Sequence, residues 1–152
     1  MMSRLDYPVF SVPSLEAFLA RLTPEIEAVD HHWLIETVGL SEKEAGPLIA
    51  GLCILGFAEP NGRLTAEGRL LAASDTRGTA FGRACARVYA EMLDSLLQHE
   101  EFHTDHVHQF LSQRGIKHMK ERQKTALVFR FLVLNSDRED LIRRYSTKKC
   151  FA

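Results

Sequence analysis

Apolar residues recur in this chain at intervals of three and four, and the clearest run lies between 30 and 73. His32 to Val38 predicts a short helix with Trp33, Leu34 and Val38 facing a core, and Gly39 can take the left-handed conformation that ends it. Leu40 is the expected buried turn residue. Ser41 followed by Glu44 makes a capping box, and Leu48, Ile49, Leu52, Cys53 and Leu55 give the next helix one apolar face. Gly56 stops that helix, and Phe57 to Glu59 reads as strand. Pro60-Asn61-Gly62 predicts a hairpin turn, because Asn-Gly adopts positive φ readily. Arg63 and Leu64 return the chain, and Thr65 caps a third helix carrying Leu70 and Leu71. The local signals agree on helix, turn, helix, short hairpin, helix, which is the element order of a winged helix-turn-helix.

The flanking pattern is helical as well. Residues 1–13 hold Pro8 and Pro13 and predict an extended N-terminal arm. A helix carrying Leu15, Phe18, Leu19 and Leu22 then opens the winged-helix unit, residues 14–75. Residues 74–78, Ser-Asp-Thr-Arg-Gly, interrupt the pattern. Thr79 is the expected cap of a helix reaching about Gln98, whose stripe from Phe81 and Cys85 to Leu96 and Leu97 needs a core or a dimer seam to cover it. His99 to His103 is polar, a helix end or loop. Thr104 to Gly115 predicts a helix with Val107, Phe110 and Leu111 inside. Another opens at Lys117 or Met119, includes the apolar residues Ala126, Leu127, Phe129, Leu132 and Val133, and breaks near Asn135-Ser136. Asp137 is the expected cap of a last helix with Leu141, Ile142 and Tyr145. The expected architecture is mainly α: a winged helix-turn-helix with a small β-hairpin wing, a helical C-terminal subdomain over 79–146, and a basic tail over 147–152.

Three segments carry a family resemblance: WLIETVGLSEKEAGPLIAGLCILGFAEPNGRLT from Trp33, RVYAEML from Arg87 and KTALVFRFLV from Lys124. They resemble a bacterial and archaeal family of short proteins of unknown function with a winged-helix N-terminal half and a helical C-terminal half. The resemblance spans most of the chain. It implies the fold and supplies no active residues.

A length of 152 residues suits one or two small domains, and 45% hydrophobic content is enough for a packed core. The net charge of −1 hides an asymmetry. Residues 1–78 hold six Lys/Arg against eleven Asp/Glu, a net of −5; residues 79–152 hold thirteen against nine, a net of +4. An anionic partner is therefore expected at the second half, or the two signs pack against each other. Cys53, Cys85 and Cys150 show no disulfide or zinc spacing; Cys53 and Cys85 lie on apolar stripes and read as buried, inert thiols. The start of the chain lacks a signal-peptide pattern, and no segment reaches the roughly 20 apolar residues of a membrane span. A cytoplasmic protein without a membrane partner is the expectation.

Candidate chemistry is sparse. A DNA-reading helix presents Arg, Lys, Asn or Gln near its N-terminus. Here Glu42-Lys43-Glu44 opens the second helix, with Arg63 on the hairpin and Arg69 beyond it. Two acids there disfavour phosphate, so a packing or dimerisation module stands beside base readout. The basic run from Arg114 to Lys124 holds Lys117, Lys120 and Lys124 at i, i+3, i+7, with Arg122 between them; it is a phosphate site or a solvated helix face. Arg143, Arg144, Lys148 and Lys149 repeat that choice near the end. His99-Glu100-Glu101-Phe102-His103 formally matches the zinc-peptidase H-E-x-x-H, but Glu101 is charged where such a helix is apolar and no third-ligand region follows. His99, His103 and His106 are weak metal candidates at most. No phosphate loop, dinucleotide fingerprint or nucleophile elbow is present.

These residues point to a non-enzymatic DNA-binding or DNA-associated regulator, a homodimer without a cofactor, contacting phosphates through Lys43, Arg63, Lys117, Lys120, Arg122 and Lys124. The alternative is a protein–protein adaptor on a winged-helix scaffold within a larger assembly. Surface placement separates them. Cations aligned with Arg63 favour DNA, whereas an exposed apolar patch favours the adaptor.

Overall fold

Helices dominate the described part of the chain, residues 7–96, 104–116 and 118–137 of the computed structural model. The His99 and His103 pair, Lys117, the expected last helix, Cys150 and the basic tail lie outside the described residues.

Helix α1, Val12–Arg21, starts earlier than the pattern suggested. Ser11 caps it by accepting the Ser14 N–H at 3.3 Å, and Pro13 sits in the first turn, where a missing N–H costs nothing. Helix α2, His31–Trp33, is capped by the Asp30 carboxylate, which accepts the Trp33 N–H at 2.8 Å. It widens into a π-helical turn over Leu34–Val38 that ends at Gly39. Helix α3, Glu42–Ile54, begins with the expected capping box: the Glu44 carboxylate accepts the Ser41 N–H at 3.1 Å and the Ser41 hydroxyl at 3.0 Å. It ends at Gly56, whose φ of 83° lets its N–H reach Cys53 O at 3.0 Å while the Phe57 N–H reaches Leu52 O at 2.9 Å. That double closure aims the Phe57 ring into the core, where it is fully buried.

A tight turn forms at Pro60-Asn61-Gly62, where the pattern predicts one, but no strand flanks it among the described residues. Glu59 N–H donates to Arg63 O and Gly62 N–H to Glu59 O, both at 2.8 Å, with Gly62 at φ 90°. Its β pairing is minimal. Among the described residues it consists of two isolated antiparallel bridges, Ala28 with Arg63 and Ala58 with Leu64. The arms are only two or three residues long between the Gly56 stop and the Thr65 cap, so no strand ladder can extend. Helix α4, Ala66–Arg69, follows with a 3-10 turn over Leu70–Ala72, and Thr65 Oγ1 accepts the Gly68 N–H at 3.0 Å.

Residues 74–78 do not break the chain. They form the first turn of helix α5, Ser74–Val88, because Thr76 Oγ1 and Arg77 Nε donate to the Leu70 and Leu71 carbonyls at 2.7 and 2.8 Å and so hold the entry. The long helix expected from Thr79 is instead divided at Tyr89, with α6 running Ala90–Leu96. The division places the Tyr89 ring between Tyr7, stacked at 5.3 Å, and Phe129 at 4.8 Å. Helices α7, Thr104–Gln113, and α8, Met119–Leu134, complete the described chain.

One core joins the two halves. Phe18, Leu48, Leu52, Phe57, Phe81 and Phe129 belong to the same buried cluster, and so do Cys85, Met92, Leu93 and Leu96 of the α5–α6 stripe. The stripe therefore serves the core. Tyr7 and Phe10 belong to it too, and Pro8 between them is buried. A Cβ on Gly51 would collide with the Phe10 ring, so that glycine lets this segment lie close on α3. No described helix is long and apolar enough to cross a membrane.

Candidate functional site

The sequence pattern predicts α3 as a reading helix, but its chemistry is bland. The helix contains no Arg, Asn or Gln. Its exposed positions are Glu42, Lys43, Glu44, Pro47 and Ala50. Glu44 is held by Ser41 and also accepts the Ser14 hydroxyl at 3.3 Å. The Ser41 N–H, then the Ser41 and Ser14 hydroxyls, keep this carboxyl below its ordinary range, so it stays ionised. A fixed negative charge at the head of the helix repels phosphate. Arg63 is exposed on the hairpin, and Arg69 stands 3.9 Å from Glu27. Arg87 is engaged in structure: it bridges to Glu67 at 2.9 Å and donates to Leu55 O at 2.7 Å, where α3 ends.

Helix α8 has the opposite character. Its inner face, with Ala126, Val128, Phe129, Leu132 and Val133, is buried, chiefly against α1, α5 and α7. Thr125 is buried among them and satisfies its hydroxyl on Glu121 O at 2.8 Å. The outer face presents Met119, Lys120, Gln123, Lys124, Leu127, Arg130 and Leu134, all exposed. Met119, Leu127 and Leu134 are the exposed large hydrophobics among the described residues, at 55%, 52% and 47% of their full accessibility. Three cations accompany them, and no exposed position of α8 is acidic.

The positions 120, 123, 127, 130 and 134 follow a 3,4 spacing, so they form one continuous seam along the helix. At its N-terminal end the seam opens into a groove of about 520 Å³ between α7 and α8, lined by His108, Gln109, Ser112, Gln113, Met119, Arg122 and Gln123. The Arg122 Nε is buried there without a hydrogen-bond partner among the described residues, while its Nη2 donates to Met119 Sδ at 3.7 Å.

The sequence-predicted contacts thus fall into two groups. Lys120 and Lys124 share the outer face of α8, and Arg122 turns into the groove beside them. Lys43 and Arg63 belong to the first half, where α3 packs on α1, α2 and the π-helical turn. The sequence pattern does not single out Arg130 or Leu134, and it names Leu127 only among the apolar residues of the helix. The 3,4 spacing that includes Arg130 inside an apolar run was the available signal.

His106 lies half-buried on α7, and no group of three His, Cys, Asp or Glu that could hold a metal occurs among the described residues. Cys85 is buried, but Cys53 is only half-buried, since it sits at the edge of the α3 apolar face. Burial pushes the Cys53 thiol up, away from the reactive thiolate. Comparison with protein-family models, with curated proteins and with solved structures finds no match.

Proposed function

We propose that the protein is a non-enzymatic interaction adaptor, built on a winged-helix scaffold and using α8 as its docking face. The observation that carries this reading is the outer face of α8, where the large hydrophobics exposed among the described residues sit together between cations. Leu127 and Leu134 recur seven residues apart on one side of the helix, with exposed Lys124 and Arg130 beside them, so apolar and cationic groups share one face. The scaffold reading rests on the element order: α1, residue 28, α2, α3 and a hairpin whose bridges tie 28 to 63 and 58 to 64. The winged-helix family resemblance is in keeping with that order.

A second reading is DNA association through phosphates. It is favoured by the exposure of Lys43, Arg63, Lys120 and Lys124, none of which makes an ion pair among the described residues. It is disfavoured by the acidic head of α3 and by leucines at the centre of the α8 face, which phosphate contacts would leave exposed.

A photo-crosslinking amino acid placed at Leu127, and at exposed Glu16 on α1 as control, tests the adaptor reading in the cells that make the protein. A discrete protein adduct specific to position 127 is the expected result. Absence of any specific adduct, or an adduct to nucleic acid alone, would refute it.

A further inference from the structure

From the seam on α8 we infer the chemistry of the partner: an acidic amphipathic helix lying along Lys120, Gln123, Leu127, Arg130 and Leu134. This rests on the adaptor reading and adds what occupies the face. Three properties of the seam select the occupant. Its spacing alternates three and four over a helix of 16 residues, the spacing at which a second helix seats its side chains between those of the first. Leu127 and Leu134, seven residues apart and each about half exposed, offer two apolar anchor points. Lys120, Lys124 and Arg130 flank them with no acid on the same face, so the matching surface carries Glu or Asp beside apolar residues.

The same properties argue against other occupants. A second copy pairing through this face would set Lys120, Lys124 and Arg130 against their own kind, a repulsion that selects against self-association. Duplex DNA would satisfy the cations but leave Leu127 and Leu134 without an apolar partner. A bilayer needs a broad apolar face, whereas the inner face of α8 is already covered by α5 and α7, leaving a seam one helix wide. The α7–α8 groove extends the match. Arg122 lines that groove and adds a fourth cation near one end of the incoming helix.

The test uses the full chain and a fluorescein-labelled probe peptide of about three heptads, leucine at a and d and glutamate at e and g, with a lysine-for-glutamate twin. Glutamates at both flanks keep the probe from pairing with itself. Anisotropy should show saturable binding of the acidic peptide and none of the basic one. L127D/L134D should abolish binding, and K120E/K124E/R130E should exchange the preference, losing at least about tenfold for the acidic peptide while gaining the basic one. These positions are exposed, and unchanged circular dichroism and melting of the variants confirm that the fold survives. No binding of the acidic peptide, equal binding of both peptides, or binding unchanged in the reversed variant would overturn the inference. So would a wild-type dimer in light scattering that L127D/L134D dissociates, or phosphatidylserine vesicles bound where the acidic peptide is not. A specific adduct at position 127 without peptide binding removes the partner's chemistry alone; loss of both removes the adaptor reading as well.

Discussion

Helices α3 and α8 are of similar length, 13 and 16 residues, and each buries one face in the same core, yet their outer faces differ. On α3 the outward residues are Glu42, Lys43, Glu44, Pro47 and Ala50, a single cation between two acids, and the helix head holds a fixed carboxylate. On α8 they are Met119, Lys120, Gln123, Lys124, Leu127, Arg130 and Leu134, three cations among apolar residues with no exposed acid. The helix that the sequence pattern nominates for recognition has little to recognise with, and the helix whose lysines stand out as a charge run also exposes Leu127 and Leu134. Position in a fold thus nominates a surface, but the side chains on that surface decide what it can bind.

Substitutions that should split the two helices sharpen this comparison. The largest contrast is between inward and outward leucines. Leu52→Ala on α3 removes a fully buried side chain and should cost about 2–5 kcal/mol, whereas Leu127→Ala on α8 should change stability by no more than about 0.5 kcal/mol; denaturant titration reads both. A costly Leu127→Ala would mean that the leucine serves the fold. Next is Gly51→Ala. The Phe10 ring must move to admit the methyl, so a loss of about 1–3 kcal/mol in the same titration is expected; an unchanged midpoint would mean that residues 7–10 are not locked on α3. Ser41→Ala should cost about 1 kcal/mol, because it dismantles the α3 capping box and leaves Glu44 with fewer donors.

The smallest effect at neutral pH belongs to Tyr7, which closes the stack on Tyr89. Burial, then the nearby Glu91 carboxylate, push its hydroxyl up to about 12, with Arg114 opposing. The folded state therefore holds this proton more tightly than the unfolded chain does. Its contribution to stability is complete below pH 10, the ordinary tyrosine value, and is lost as pH rises toward 12. Tyr89 is raised as well, by burial first, and adds a fall of the same sign. Tyr7→Phe should flatten part of the alkaline fall in melting temperature while leaving the value at pH 7 nearly unchanged. An alkaline profile identical to wild type would place Tyr7 outside the linkage.

Much of the helical frame was legible in the sequence because it is written in local signals. Ser41 with Glu44, the Gly56 stop and the Pro60-Asn61-Gly62 turn each act over four or five residues, and each appears where the pattern put it. The departures come from long-range packing. Tyr89 divides a helix because Tyr7 and Phe129 claim its ring from distant parts of the chain. Ser74 to Gly78 is helical because carbonyls of the preceding turn accept Thr76 and Arg77. Residues 7–10 read as part of an extended arm, since the tertiary contacts of Phe10 at Gly51 and of Tyr7 on Tyr89 leave no local signal. The α8 surface was half legible. The lysines stood out as a charge run, but Leu127 and Leu134 were indistinguishable from core residues until the neighbours of α8 fixed which side faces out.

The measurement that bears most directly on the central claim, that the cationic seam of α8 serves a protein partner and not nucleic acid, is anisotropy of a fluorescent mixed-sequence duplex. It should be run at low and at physiological salt, with the wild type and with K120A/K124A. The account predicts at most weak binding at low salt and no saturable binding at physiological salt. Saturable binding at physiological salt that K120A/K124A abolishes would contradict it and assign the face to DNA.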